Sequence, residues 1–291
     1  MWDLILDCVL DALKDGAFSL PVLFIAYLLM ELLERSGKFN ENMLRVYSRA
    51  SGPALGGVLG AIPQCGISGA AATLFSTGTI TVGTMLAVFF ATSDEMLPVM
   101  LSALTDGGIG LGRILAIVAG KAALGVILGY AGDAIFGRFF RAGKDIHSFC
   151  EREHCECEGE ENVWLSALKH TVKIGIMLIA VNFALNIIFG LIGEERLAAF
   201  MTGRPVAAEL LLALFGLIPN CAVSVIITQS YLAGVVTLGG LFAGLLSNAG
   251  IGLLVLLRTN RNAKENMAII AILYVLSALC GMAITAISAL I

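Results

Sequence analysis

Apolar residues fill this chain in long blocks, and two of the blocks are interrupted in the same way. Stretches near 17–33, 79–104, 112–135, 165–192, 232–257 and 267–290 are apolar with few charges, and about 20 such residues cross a bilayer as a helix. Two further apolar stretches, 53–77 and 206–231, carry Ile62-Pro63-Gln64-Cys65 and Ile218-Pro219-Asn220-Cys221. The spacing is 219 − 63 = 156 residues, and the same offset pairs Ser68 with Ser224, Gly78 with Gly234, Thr81 with Thr237, Gly83 with Gly239 and Ala87 with Ala243. It also sets Thr92-Ser93-Asp94-Glu95 against Asn248-Ala249-Gly250-Ile251. Proline lacks an N–H and clashes with the preceding turn, so helix geometry is expected to fail near 63 and 219. Broken backbone survives at membrane depth only where protein buries it or a watery cavity receives it. Matched interruptions in two halves point to a binding site.

Composition and charge extend the pattern. The 291 residues are 58% hydrophobic and 14% charged, with mean hydropathy +0.91, against roughly 25% charged in a soluble domain. The pattern is that of an all-α polytopic membrane protein. A formal charge of −4 gives no basis for a nucleic-acid partner. Residues 1–16 carry Asp3, Asp7, Asp11 and Asp15 at spacing four, the stripe of an amphipathic helix lying at the interface. No basic stretch followed by a small-residue cleavage site precedes the first span, so a removable signal peptide is not expected. The organisation that follows is an interfacial helix 1–16, a first membrane repeat 17–140, a linker 141–163 and a second repeat 164–291.

Lysine and arginine assign the sides. Arg35, Lys38, Arg45 and Arg49 follow the first span; Arg138, Arg141, Lys144 and Arg152 lie in the linker; Arg258, Arg261 and Lys264 precede the last span. Basic loops face the cytoplasm. Parity then requires an odd number of crossings between the loop at 36–52 and that at 104–112, so 53–77 reads as a re-entrant hairpin with arms of about ten residues, too short to span. The same holds for 206–231. Six spans and two hairpins result, arranged as two inverted repeats with broken or re-entrant helices at the Ile-Pro-Gln/Asn-Cys motifs.

The run GAIPQCGISGAAATLFSTGTITVGTMLAVFFATSDEMLP at 60–98 resembles the signature of the manganese or heavy-metal exporters allied to arsenic permeases, a family described with ten transmembrane helices. The likeness covers nearly the whole chain and both break motifs. It implies a prokaryotic plasma-membrane efflux protein for a metal or metalloid ion.

Several residues bear on that chemistry. Asp94 and Glu95 follow Thr92 and Ser93 inside an apolar span, where ionisable groups are costly and mark ion paths or relays. Their oxygens suit a hard cation such as Mn²⁺; the other reading makes Asp94 the cap of a half-helix. Ser247 and Asn248 are the second-half equivalents, without a carboxylate. Gln64 with Cys65, and Asn220 with Cys221, place an amide and a thiol at each tip, with Ser68 and Ser224 one turn on. Two thiols meeting between the halves would suit arsenite or a soft divalent metal, while the alternative is cysteine packing as a small hydrophobe. Glu31 is the candidate for proton coupling. His147, Cys150, His154, Cys155 and Cys157 crowd the acidic linker, read either as a metal-collecting loop or as a solvated segment. The seven cysteines do not form a disulfide framework, and reduced thiols are expected.

The function read from these residues is a secondary transporter exporting a metal or metalloid ion by alternating access, coupled to protons. A passive ion channel is the alternative. An intramembrane enzyme is disfavoured, because the histidines that could activate a nucleophile lie in or beside the linker. No ATPase signature is present, no cofactor is called for, and the partners are the ion and the lipid bilayer. A homodimer is compatible with this reading.

Overall fold

The computed structural model describes residues 20–21, 23–25, 28, 41–93, 95–105, 108–137, 140, 163–192, 205–260 and 262–290. Among them every regular element is a helix. In chain order these are α1 (Glu41–Gly60), α2 (Cys65–Ser76), α3 (Val82–Ala91), α4 (Met96–Thr105), α5 (Leu111–Phe136), α6 (Val163–Ile192), α7 (Pro205–Gly216), α8 (Cys221–Leu232), α9 (Leu238–Ser247), α10 (Ile251–Thr259) and α11 (Ala263–Leu290). The amphipathic segment 1–16, Glu31 and the Cys/His/Glu linker at 147–157 lie outside the described residues.

Among the described residues four stretches are long and apolar enough to cross a membrane: Val82–Leu104, Leu111–Phe136, Leu238–Thr259 and Ala263–Leu290. They divide by burial. The second broken stretch, α9 with α10, is 89% buried, whereas α5 and α11 are only 28% and 33% buried. The outer helices turn Leu115, Ile127, Ile135, Val275, Leu279 and Ile287 outward. Such faces are stable against lipid and unfavourable against water.

One succession of five helices occurs twice, α1–α5 and α7–α11, and the packing repeats with it. A Cβ on Gly60 would stand 2.6 Å from the Val88 carbonyl oxygen, and one on Gly216 would collide with that of Gly244; both pairs differ by 156. Gly78 and Gly234 take φ of 78° and 74°, a left-handed conformation that only glycine adopts freely. Each closes the turn after its helix, with Thr79 N donating to Leu74 O and Val235 N to Ser230 O, both at 2.9 Å. The next helix in each unit is then capped by threonine: Thr81 Oγ1 accepts from Thr84 N at 3.1 Å, and Thr237 Oγ1 from Gly240 N at 3.0 Å.

The offset changes at the last helix, since 263 − 111 = 152. At Gly129 and at Gly281 an added Cβ would stand 2.7 Å from the carbonyl oxygens of Gly83 and Gly239 respectively, so α5 and α11 dock alike. The four missing residues come from the path between. Residues 106–110 join α4 to α5, but only 260–262 join α10 to α11. That short joint is stitched by Asn260 Nδ2 donating to Glu265 Oε2 and Asn266 Oδ1, and by Asn266 Nδ2 donating back to Asn260 O.

One expectation needs correction. The stretch 36–52, read as a loop, is helical from Glu41, and α1 has 20 residues, about 30 Å, where an arm of about ten was expected. Its basic front, Arg45 and Arg49, masks a helix that carries on through Pro53 to Gly60.

Candidate functional site

The chain turns at the two proline motifs by the same device. Helices stop at Gly60 and Gly216, Gln64 N donates to Ile62 O and Asn220 N to Ile218 O, both at 2.8 Å, and helices restart at Cys65 and Cys221. A three-residue turn of this kind has proline's fixed φ at its centre and asks no N–H of it. The caps differ: Asn220 Oδ1 accepts from Ala222 N at 2.7 Å, while the Gln64 side chain makes no capping bond.

The turns bring the two cysteines together. Cys65 Sγ lies 3.8 Å from Cys221 Sγ, both side chains buried. A disulfide would need about 2.05 Å, so these are separate thiols. Each opens a helix, the end that favours negative charge. Two sulfurs each about 2.3 Å from a tetrahedrally coordinated metal stand about 3.8 Å apart. Among the described residues no group of three or more His, Cys, Asp and Glu is gathered. Ser68 and Ser224 are buried and donate back to Cys65 O and Cys221 O at 2.7 and 2.8 Å.

Each motif helix then packs on the broken helix of the other unit: α2 on α10, and α8 on α4. An added Cβ on Gly252, just past the second break, would press on Ser68 Cβ and on Phe89 of α3. Further along, Ser76 Oγ meets Thr259 Oγ1 at 2.8 Å. The polar residues of the breaks therefore lie beside the motif tips, with their side chains turned to the backbone. Thr92 Oγ1 donates to Val88 O, Ser93 Oγ to Ala91 O, and Ser247 Oγ to Ala243 O and Gly244 O. Asn248 Oδ1 accepts from Gly250 N at 2.9 Å. Glu95 is half-buried at the start of the second half-helix. Asp94 lies outside the described residues.

Lys121 was not foreseen. It sits midway along α5, 1% exposed, and donates through Nζ to the carbonyl oxygens of Thr92 and of Leu245, the latter at 3.2 Å. Thr92 ends α3, and Leu245 is in the last turn of α9. The last carbonyls of a helix lack intrahelical donors and carry its negative end, so one ammonium serves both. The rule that marks acidic residues inside apolar spans applies equally to lysine, and it would have found this one.

Two buried carboxylates also escaped notice, at the far ends of the same half-helices. Asp133 Oδ1 accepts from Gly83 N at 2.8 Å and Oδ2 from Thr81 Oγ1 at 2.7 Å, an anion seated on the N-terminus of α3. In the second unit Thr285 takes that place and donates to Glu209 of α7 at 2.7 Å. A scan against protein families and searches of curated proteins and solved structures find no match to this chain.

Proposed function

We propose that the protein is a secondary transporter that exports a thiophilic metal or metalloid ion across a prokaryotic plasma membrane by alternating access. The observation that carries this reading is the approach of Cys65 to Cys221, 3.8 Å apart at matched positions of the two units. Two soft ligands, one from each unit, suit a soft ion, and an ion held between units is released when the units part. Lys121 supports soft over hard cargo. The Thr92 carbonyl, which a hard cation such as Mn²⁺ would use, already takes the ammonium.

The two five-helix units are in this reading inverted repeats, with the motif turns as tips of re-entrant hairpins. The matched proline turns of the two units support it. A cysteine introduced at residue 45 is then labelled by impermeant reagents from the cytoplasmic side; labelling from outside sinks the inversion.

The transport test uses purified protein in liposomes with Cd²⁺ and arsenite as cargoes. Wild type moves at least one of them, and Cys65→Ser and Cys221→Ser each abolish movement while the protein stays folded. Full transport by the double variant would overturn the reading.

A further inference from the structure

Glu209 takes no part in the thiol site, yet it is 1% exposed on α7 and its Oε2 has no hydrogen-bond partner among the described residues. Its Oε1 accepts from Thr285 Oγ1, which lies 3.5 Å from Thr237 Oγ1 at the head of α9. The first unit shows what a settled carboxylate looks like there: both oxygens of Asp133 are met, one by a backbone N–H and one by a hydroxyl. In the second unit the acid has moved to the facing helix, since 133 + 152 = 285 is threonine and 209 − 156 = 53 is proline. What the move leaves is a buried carboxylate oxygen with no hydrogen-bond partner among the described residues, and a group in that state calls for a ligand.

We propose that Glu209 is the acid that carries the coupling proton; the proposal rests on the transporter reading above. The carboxylate takes one proton from water on one side of the membrane, at Oε2, and gives it up on the other, with no change of oxidation state. A metal cation would ask for several oxygen ligands, and the hydrogen-bond partner that the structure gives Glu209 is a single hydroxyl, whereas a proton needs one oxygen. Few other charges compete. The helices packed on α7 are α8, α9 and α11. Of these α9 has no ionisable residue, α8 has Cys221 and Tyr231, and α11 has Lys264, Glu265, Tyr274 and Cys280. None of them bonds or ion-pairs with Glu209.

The position also supplies a linkage. α7 carries Glu209 near its start and ends at Gly216, packed so closely on α9 that an added Cβ would collide with Gly244 O and Ser247 Oγ. Two residues later the chain enters Ile218-Pro219-Asn220-Cys221. A shift of α7 on gain or loss of the proton therefore reaches the Cys221 tip, and also the end of α9 that Lys121 holds.

The test is Cd²⁺ movement in proteoliposomes under an imposed pH gradient, beside Cd²⁺ exchange without one. Glu209→Gln keeps the size but takes no proton. The expected result is loss of gradient-driven movement with exchange retained. Thr285→Val removes the hydrogen bond at Oε1 and is expected to weaken gradient-driven movement with exchange retained; Thr285 is a positioning residue in this scheme. An unchanged gradient response in Glu209→Gln or in Thr285→Val, or loss of exchange as well in a protein that melts normally, would each overturn the proposal. Movement driven by a Na⁺ gradient and not by pH would overturn it too. If wild type moves no Cd²⁺ or arsenite under any condition, the transporter reading itself fails, a different outcome from all of these.

Discussion

The ammonium of Lys121 donates to the carbonyl oxygen of Leu245 at 3.2 Å, across 124 positions of sequence. A side chain of the first unit thus closes a helix end of the second, while also holding the Thr92 carbonyl of its own unit. The two interrupted helices are joined at their broken ends by a group that neither of them carries.

Lys121→Met is expected to unlatch that joint. Each hydrogen bond to a charged group contributes about 1.5–3 kcal/mol, and methionine fills the volume without replacing either bond. The melting temperature in detergent should fall, and transport should fall with it. A Lys121→Met protein that melts and transports like wild type would show that the two helix ends hold together without the ammonium.

The thiol pair should behave as one unit in ligand binding. Cys65→Ser or Cys221→Ser alone is expected to weaken Cd²⁺ binding by about tenfold or more, and the double variant hardly further, since contacting groups are non-additive. Absorbance from sulfur-to-Cd²⁺ charge transfer reads this directly. Independent, additive losses would mean that the sulfurs do not share an ion.

Gly129→Ala and Gly281→Ala should each destabilise by about 1–3 kcal/mol, the usual cost of forcing a methyl into a filled contact. In both, the new carbon meets a backbone oxygen at 2.7 Å, which no rotamer change relieves. Gly112→Ala is the control, having nothing within 4 Å. Denaturation curves in which all three coincide would contradict the matched docking of α5 and α11.

Asp133→Asn removes the charge at the head of α3 and keeps the shape. A loss of up to about 2 kcal/mol is expected from the charge–dipole term, with Cd²⁺ affinity unchanged because the change lies at the opposite end of α3 from Thr92. Affinity that falls with stability would show that α3 passes the change to the thiol site.

How far these features could be read from the residues depends on how local their causes are. Pro63 and Pro219 act on their own backbone, so the helix gaps at 61–64 and 217–220 follow from the sequence. The early start of α1 did not, because Glu41, Arg45 and Arg49 look like a loop until the apolar stretch after them is seen to continue the same helix. Cys65 and Cys221 were each visible as candidates, but their distance is a property of how two units pack. Lys121 is legible as a cation midway along the apolar stretch 112–135, where any ionisable group marks a site. Asp133 and Glu209 stand near the ends of their helices, where a carboxylate ordinarily reads as a solvated interfacial group; only packing reveals that both are buried.

The short joint between α10 and α11 has a mechanical consequence. The joint is two residues shorter than its counterpart at 106–110, and the Asn260, Glu265 and Asn266 stitch ties down the residues that are left. The corresponding path through α4 has the longer tether. A molecule built from one repeated unit is therefore not equally compliant at its two ends. α10 is on a short leash and resists being pulled away from α11. If the molecule opens alternately to its two sides, the two openings differ in stiffness, and the stiffer gate is the one that α10 serves.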